Sequence, residues 1–290
     1  MDIFVQTLVT GLLIGGLYVA ISIGFALSFG VLDVVDLAIG MWVVLGAYTA
    51  VVSRQIFGVD PVFILPFVFV FFGFVGWLIG PLIYRVRTSH YALPALMALA
   101  FTFGIETAIR GALLATFGYT PKSVQMDFLQ GVWHVMGVSI PIVRVAGFVF
   151  AFVLAVALLC FLFFTQLGLA IRAMAQNKDT AALMGVNVKR LSTFVYALYV
   201  GVTSMAGVLV GAVYSTTPQI GLRYTLFAFF VVVLAGLGSV MGVLVSGLLL
   251  GLLQAFVTVY VGANYTLMTV FFVLFLILLL LPNGLARRAM

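Results

Sequence analysis

The chain has 290 residues, of which 65% are hydrophobic and only 7% are charged. A soluble domain carries about 45–50% apolar and about 25% charged residues, so too few polar side chains remain here to cover a water-facing surface. The net charge of +6 comes from a few basic residues set between apolar runs, a pattern that orients a chain in a membrane and does not point to nucleic acid.

Met1-Asp2-Ile3-Phe4 lacks a basic n-region and a small-residue cleavage pattern, and reads as the start of a spanning segment. A crossing helix needs about 20 apolar residues. That template gives nine spans, approximately 3–29, 37–53, 61–84, 91–115, 142–165, 191–215, 223–236, 240–260 and 264–281. The expected fold is an all-α polytopic membrane protein, one transmembrane domain over residues 1–290.

Gly11, Gly15 and Gly16 in the first span offer small surfaces for close helix packing. Asp33 and Asp36 follow, the one close pair of carboxylates. They read as a solvated loop, with Asp36 capping the second span. In the fourth span Glu106 and Arg110 lie four residues apart and share a face. Ionisable groups at membrane depth are costly and face protein or water. Two readings stay open for them, a structural ion pair or a polar element of a substrate path.

Residues 116–141 predict a small structured element, containing Thr120-Pro121-Lys122 and Gly131-Val132-Trp133-His134. The fifth span holds the single cysteine, Cys160, which excludes an intrachain disulfide. In 166–190 the run Leu169–Gln176 is rich in helix formers. Asp179-Thr180-Ala181-Ala182-Leu183-Met184 predicts a further short helix, with Gly185 as its terminator. Gly201, Gly207 and Gly211 mark the sixth span. The seventh is short, ends in Gly236-Leu237-Gly238-Ser239, and reads as broken or half-length. Gly40–Ala47 and Gly242–Gly251 are both glycine-spaced runs and suggest an internal repeat.

With nine crossings, Arg85, Arg87, Arg172, Lys178, Lys189, Arg190, Arg287 and Arg288 share one side, eight basic residues. Arg54, Lys122, Arg144 and Arg223 face the other, four. The positive-inside bias makes the first side cytoplasmic. The N-terminus is then external, the C-terminus cytoplasmic, 116–141 an external loop and 166–190 a cytoplasmic one.

Catalytic chemistry finds little support. His90 and His134 fall in loops on opposite sides, no His/Cys/carboxylate group has metal-ligand spacing, and no Gly-x-x-x-x-Gly-Lys-Ser/Thr pattern occurs. No catalytic residue, metal or cofactor is implied.

The chain resembles the permease subunits of bacterial ABC importers for branched-chain amino acids, urea and short amides. The resemblance rests on Gly11–Ile21, Phe29-Gly30-Val31-Leu32, Leu45-Gly46-Ala47-Tyr48, the run Arg172–Asn187, Leu234–Gly251 and Pro282-Asn283-Gly284-Leu285. One segment departs. Asp36-Leu37-Ala38-Ile39-Gly40 stands where the family usually has Asn-Phe-Ala-His-Gly, and leans toward the sugar-importer permeases.

The resemblance implies a multi-pass protein of the bacterial inner membrane that translocates a small polar solute, by default branched-chain amino acids. It implies four kinds of partner: a homologous second permease, two ATP-binding subunits, an external substrate-binding protein and the bilayer. Asp179, Thr180, Ala181, Ala182, Leu183, Met184 and Gly185 resemble the Glu-Ala-Ala-x-x-x-Gly coupling motif, with Asp for Glu. Glu106, Arg110 and Gly40 are the candidates for the substrate path. The alternative is an ion-coupled secondary transporter with Glu106 as its proton or cation site. An intramembrane enzyme lacks a dyad or metal set.

The charge bias makes a direct prediction. A thiol reagent applied from outside is expected to modify Lys122→Cys, and to reach Lys178→Cys only after permeabilisation. The opposite labelling pattern would invert the topology.

Overall fold

The computed structural model describes residues 2–89, 93–124, 126–129, 131–135, 138–281 and 284–285. His90, Arg287 and Arg288 lie outside these residues. Among the described residues nine helices are long and apolar enough to cross a membrane.

Helix α1 (Asp2–Leu32) is 31 residues long, about 46 Å at 1.5 Å per residue. Its most apolar window is 89% buried, against 11% for the last span, so α1 is the central mast and the last span is peripheral. Helix α2 (Ile39–Val52) continues as a π-turn to Phe57. Helices α3 (Leu65–Arg87) and α4 (Pro94–Phe117) each carry proline in the first turn, where its missing N–H costs nothing. Two short strands, Val132–Val135 and Val138–Pro141, pair as an antiparallel hairpin, a small departure from an all-helical chain. Then come α5 (Ile142–Phe164), two short helices α6 (Gln166–Gln176) and α7 (Lys178–Leu183), and α8 (Val188–Val213). Helices α9 (Gly221–Ala235), α10 (Val240–Tyr260) and α11 (Thr266–Leu280) complete the chain.

The connections sort onto two ends of the bundle. At one end Lys178 Nζ lies 2.7 Å from Asp33 Oδ2, Arg87 Nε donates to the Asp33 carbonyl at 3.2 Å, and Gly284 packs on Gly236. At the other, Arg54 pairs with Asp127, and the backbone of Lys122 bridges that of Thr216. These are the α7 end and the hairpin end, the grouping that nine alternating crossings require.

Without a hydrophobic drive between helices in lipid, close packing depends on small residues. Helix α1 runs antiparallel to α10, with Gly11, Gly15 and Val19 against Leu252, Gly251 and Gly247 in turn. Helix α8 carries α2 through Gly207 on Val43 and Gly46 on Ser204. Gly40–Ala47 and Gly242–Gly251 occupy different settings: one opens α2 beside α8 and α9, the other lines the α1 seam.

Among the tightest seams is Gly40 on Gly221, where a Cβ on Gly40 would sit 1.8 Å from the Gly221 carbonyl oxygen. Gly40→Ala is therefore expected to destabilise the detergent-solubilised protein by at least ~1–3 kcal/mol. Gly104→Ala, on α4 with nothing within 4 Å of the new methyl, is expected to be neutral or to gain up to about 1 kcal/mol from helix propensity. Thermal melting of the two variants separates these outcomes.

Candidate functional site

The bundle is interrupted at its centre. Residues 33–38 leave α1 at the α7 end, and 214–220 leave α8 at the hairpin end. Each segment leads into a short helix, α2 and α9, and the starts of those helices meet at Gly40 and Gly221. The first turns of these two helices thus pack side by side in opposite directions, and each helix with its adjoining turn is long enough to cross, so the seventh span is not half-length. Discontinuous helices of this kind mark the substrate region in many transporters.

Irregular backbone inside such a bundle survives only when its polar groups find partners. Thr102 Oγ1 on α4 accepts the Leu37 N–H at 3.2 Å. Thr225 Oγ1 on α9 accepts the Gly40 N–H at 3.0 Å and lies 3.2 Å from the Leu37 carbonyl. Asp36 accepts the Ala38 N–H at 2.8 Å and the Tyr196 hydroxyl at 2.9 Å. Two expectations for Asp36 are corrected here. It is 2% exposed, not solvated, because Tyr196 of α8 covers it. The residue at the cap position of α2 is Ala38, with no side-chain cap, because Asp36 spends its oxygens on the turn before the helix. Gly40 is thus a packing point at the crossing, enclosed by Gly221 and Thr225.

Glu106 and Arg110 form an ion pair, Oε1 to Nε 3.6 Å, with Glu106 side-chain exposure of 4% and Arg110 of 35%. Thr107 Oγ1 donates to the second Glu106 oxygen at 3.1 Å. The pair sits on α4, apart from Gly40 in contact terms; α4 reaches the crossing through Thr102.

At the α7 end the short helix is built by local capping. Asn177 Oδ1 accepts the Thr180 N–H at 2.9 Å. The far end closes with Gly185 N–H on Ala182 O at 3.0 Å and Val186 N–H on Ala181 O at 3.1 Å, with Gly185 at φ +89°. That bond pattern is a Schellman motif, which selects glycine because its backbone is left-handed there. Ala181 is buried within the chain, so it anchors α7 rather than presenting a surface. Ala182, Gly185, Leu183 and Met184 face outward, the last two 87% and 82% exposed. A cavity of about 370 Å³ behind α7 is lined by Arg87, Lys178 and the end of α1.

Residues 7–281 match the family model for the branched-chain amino acid transport system permease component. This chain belongs to that permease family. It is 28% identical over 304 residues to the high-affinity branched-chain amino acid transport system permease protein LivH of Escherichia coli K12, covering 98% of this chain and 96% of LivH. It is 27% identical to the corresponding protein BraD of Pseudomonas aeruginosa, with the same coverage. The ribose import permease protein RbsC of E. coli K12 is 27% identical over 72% of this chain and 65% of RbsC. No solved structure gives a significant match.

Sequence reasoning about this permease passed over Thr102, Tyr196, Gly221, Thr225 and Asn177. The available signal was Pro218-Gln219-Ile220-Gly221, a break just before the seventh span; the threonines look like ordinary helix residues until a broken backbone is set beside them.

The unequal burial of the ion pair predicts an asymmetric result. Arg110→Leu strands a buried carboxylate and is expected to lower thermal stability more than Glu106→Gln, which leaves a half-exposed guanidinium able to reach water. The double variant is expected to recover much of the Arg110→Leu loss. Equal losses for the two single variants, with no recovery, would mean the pair contributes nothing as a pair.

Proposed function

We propose that this permease is the membrane-spanning subunit of an ATP-driven importer for branched-chain amino acids, delivered by an external binding protein. The observation that carries the reading is α7, a capped helical knob that shows Leu183 and Met184 to solvent and is tied to the central helix. Two ATP-binding subunits meet this end, and a homologous second permease completes the pathway in the bilayer. LivH and BraD, similar over nearly their whole length, are named for branched-chain amino acid transport; RbsC, named for ribose import, is similar over less.

The α7 end is the cytoplasmic one in a bacterial inner membrane. Among the described residues it collects Arg85, Arg87, Arg172, Lys178, Lys189 and Arg190, whereas Arg54, Lys122, Arg144 and Arg223 belong to the opposite half. The N-terminus is then external and the C-terminus cytoplasmic. Similarity to the branched-chain amino acid permeases over nearly the whole chain favours ATP-driven import over ion coupling through Glu106.

Force enters at α7 and travels through Lys178. Its ammonium holds Asp33 Oδ2 at 2.7 Å and the Leu32 carbonyl at 3.3 Å. Asp33 opens the irregular segment that leads to Gly40, so displacement of α7 pulls on the crossing of α2 and α9. The residues that meet the ATPase are Ala182, Leu183, Met184 and Gly185, with Asp179 and Thr180 in the turn held by Asn177.

A carboxylate placed on the docking face would be buried without a partner, at a cost of several kcal/mol. Leu183→Asp and Met184→Asp are therefore expected to insert and melt like the parent protein. In the assembled complex both uptake and binding-protein-stimulated ATP hydrolysis are expected to fall. Normal uptake with normally stimulated hydrolysis in both variants would place coupling on another surface.

A further inference from the structure

Behind α7, where α3 ends and α8 begins, lies the cavity of about 370 Å³. Three elements supply its polar wall: Tyr84, Arg87 and Thr88 at the end of α3, Lys178 and Asp179 of α7, and Lys189 of α8. Its size is that of a small-molecule pocket.

The charge of this wall does not cancel. Lys178 is held by Asp33 Oδ2 at 2.7 Å. Arg87 gives its Nε to a neutral group, the Asp33 carbonyl, at 3.2 Å. Among the described residues neither Arg87 nor Lys189 is in an ion pair. With Lys178 balanced by Asp33, Arg87 and Lys189 stand against the single carboxylate Asp179, two positive charges against one negative. A monoanion neutralises the remaining charge, whereas a dianion overshoots it beside Asp179.

The approach to the cavity is apolar. Val70, Trp77 and Tyr84 recur every seven residues and so share one face of α3. Val70 and Trp77 are 67% and 54% exposed. An open apolar lane thus runs along a membrane span and ends at a cationic pocket, with Trp77 and Tyr84 on it, the aromatic types that favour the level of lipid headgroups. A soluble anion makes no use of such a lane. A lipid has an acyl chain to lay along it and a headgroup to place at its end.

We propose that this cavity holds the phosphodiester headgroup of an anionic phospholipid such as phosphatidylglycerol. The Arg87 guanidinium donates to the phosphate oxygens, for which its planar fork is suited. The Lys189 ammonium closes the site from α8, and an acyl chain lies along Val70 and Trp77. Basic pockets at the ends of transmembrane helices take such headgroups. A headgroup so placed ties the end of α3 to the start of α8 and fills the space behind α7. The site does not depend on the cargo or on what meets the outer face of α7.

The test uses the complete transporter purified in a neutral detergent, with thermal melting followed as lipid is added. Phosphatidylglycerol is expected to raise the melting temperature of the parent, and phosphatidylcholine with the same acyl chains is not. Lys189→Ala is expected to need about fivefold more phosphatidylglycerol for the same rise. Arg190→Ala removes a like charge from the next residue, which does not line the cavity, and is expected to respond as the parent does. Thr88→Trp, at the exposed end of α3, obstructs the cavity without altering charge and is expected to abolish the preference between the two lipids. A variant that melts below the parent without added lipid is compared instead by the phosphatidylglycerol it retains in native mass spectra, where the same order is expected. Equal responses of Lys189→Ala and Arg190→Ala would overturn the site in favour of general attraction to a basic surface, as would a parent that does not distinguish the two lipids. Stabilisation of the parent by inorganic phosphate to the level reached with phosphatidylglycerol would overturn the lipid in favour of a soluble anion.

Discussion

The contact on which the rest of this structure depends is the meeting of α2 and α9 at Gly40 and Gly221. Interrupting two helices inside a lipid-embedded bundle exposes backbone groups that hydrocarbon cannot satisfy, each a cost of several kcal/mol. The interruption persists because side chains from two other helices and from α9 itself converge on it: Thr102 from α4, Tyr196 through Asp36 from α8, and Thr225 from α9. Only glycine lets the two backbones come close enough for Thr225 to span them. The crossing is therefore a packed, hydrogen-bonded joint, and its partners are distributed over α4, α8 and α9.

The joint sits between α7 and a cavity within the bundle. On one side, Lys178 links α7 to the end of α1 and so to the irregular segment before Gly40. On the other, α9 carries Arg223 and Tyr224 in its first turns, just beyond Gly221, where they line a cavity of about 250 Å³ between α1, α8, α9 and α10. The Lys178–Asp33 pair is partly exposed and adds little to stability by itself. It joins α7 to the end of α1.

Burial is unevenly distributed among the spans. Helix α1 is enclosed by α5, α8, α9 and α10, whereas α3, α4, α5 and α11 leave most of their apolar surface uncovered. In lipid such faces carry no penalty, so exposure alone does not mark a partner. What distinguishes the α7 end is that its exposed Leu183 and Met184 lie beyond the last turn of the spans, where water and not lipid would meet them.

The sequence by itself determined the solvent, the number of crossings and the local helix ends. Apolar runs near 20 residues can only be helices in a bilayer, because no other single segment satisfies its own backbone. The Asn177 cap and the Gly185 terminator of α7 act over three or four residues, so a short stretch carries all the information needed; Gly185 was legible, and Asn177 was there to be read. The tertiary structure alone decided the fate of Asp36, the pairing of Gly40 with Gly221, and the gathering of Tyr18, Tyr214, Arg223 and Gln254 around one chamber. Those residues stand up to 236 positions apart, and nothing in hydropathy or periodicity encodes which faces of which helices meet. In a lipid-soluble bundle nearly every face is apolar, so the pattern that reveals the buried side of a soluble helix is missing. The polar residues that line the cavity look, one at a time, like isolated residues in apolar spans.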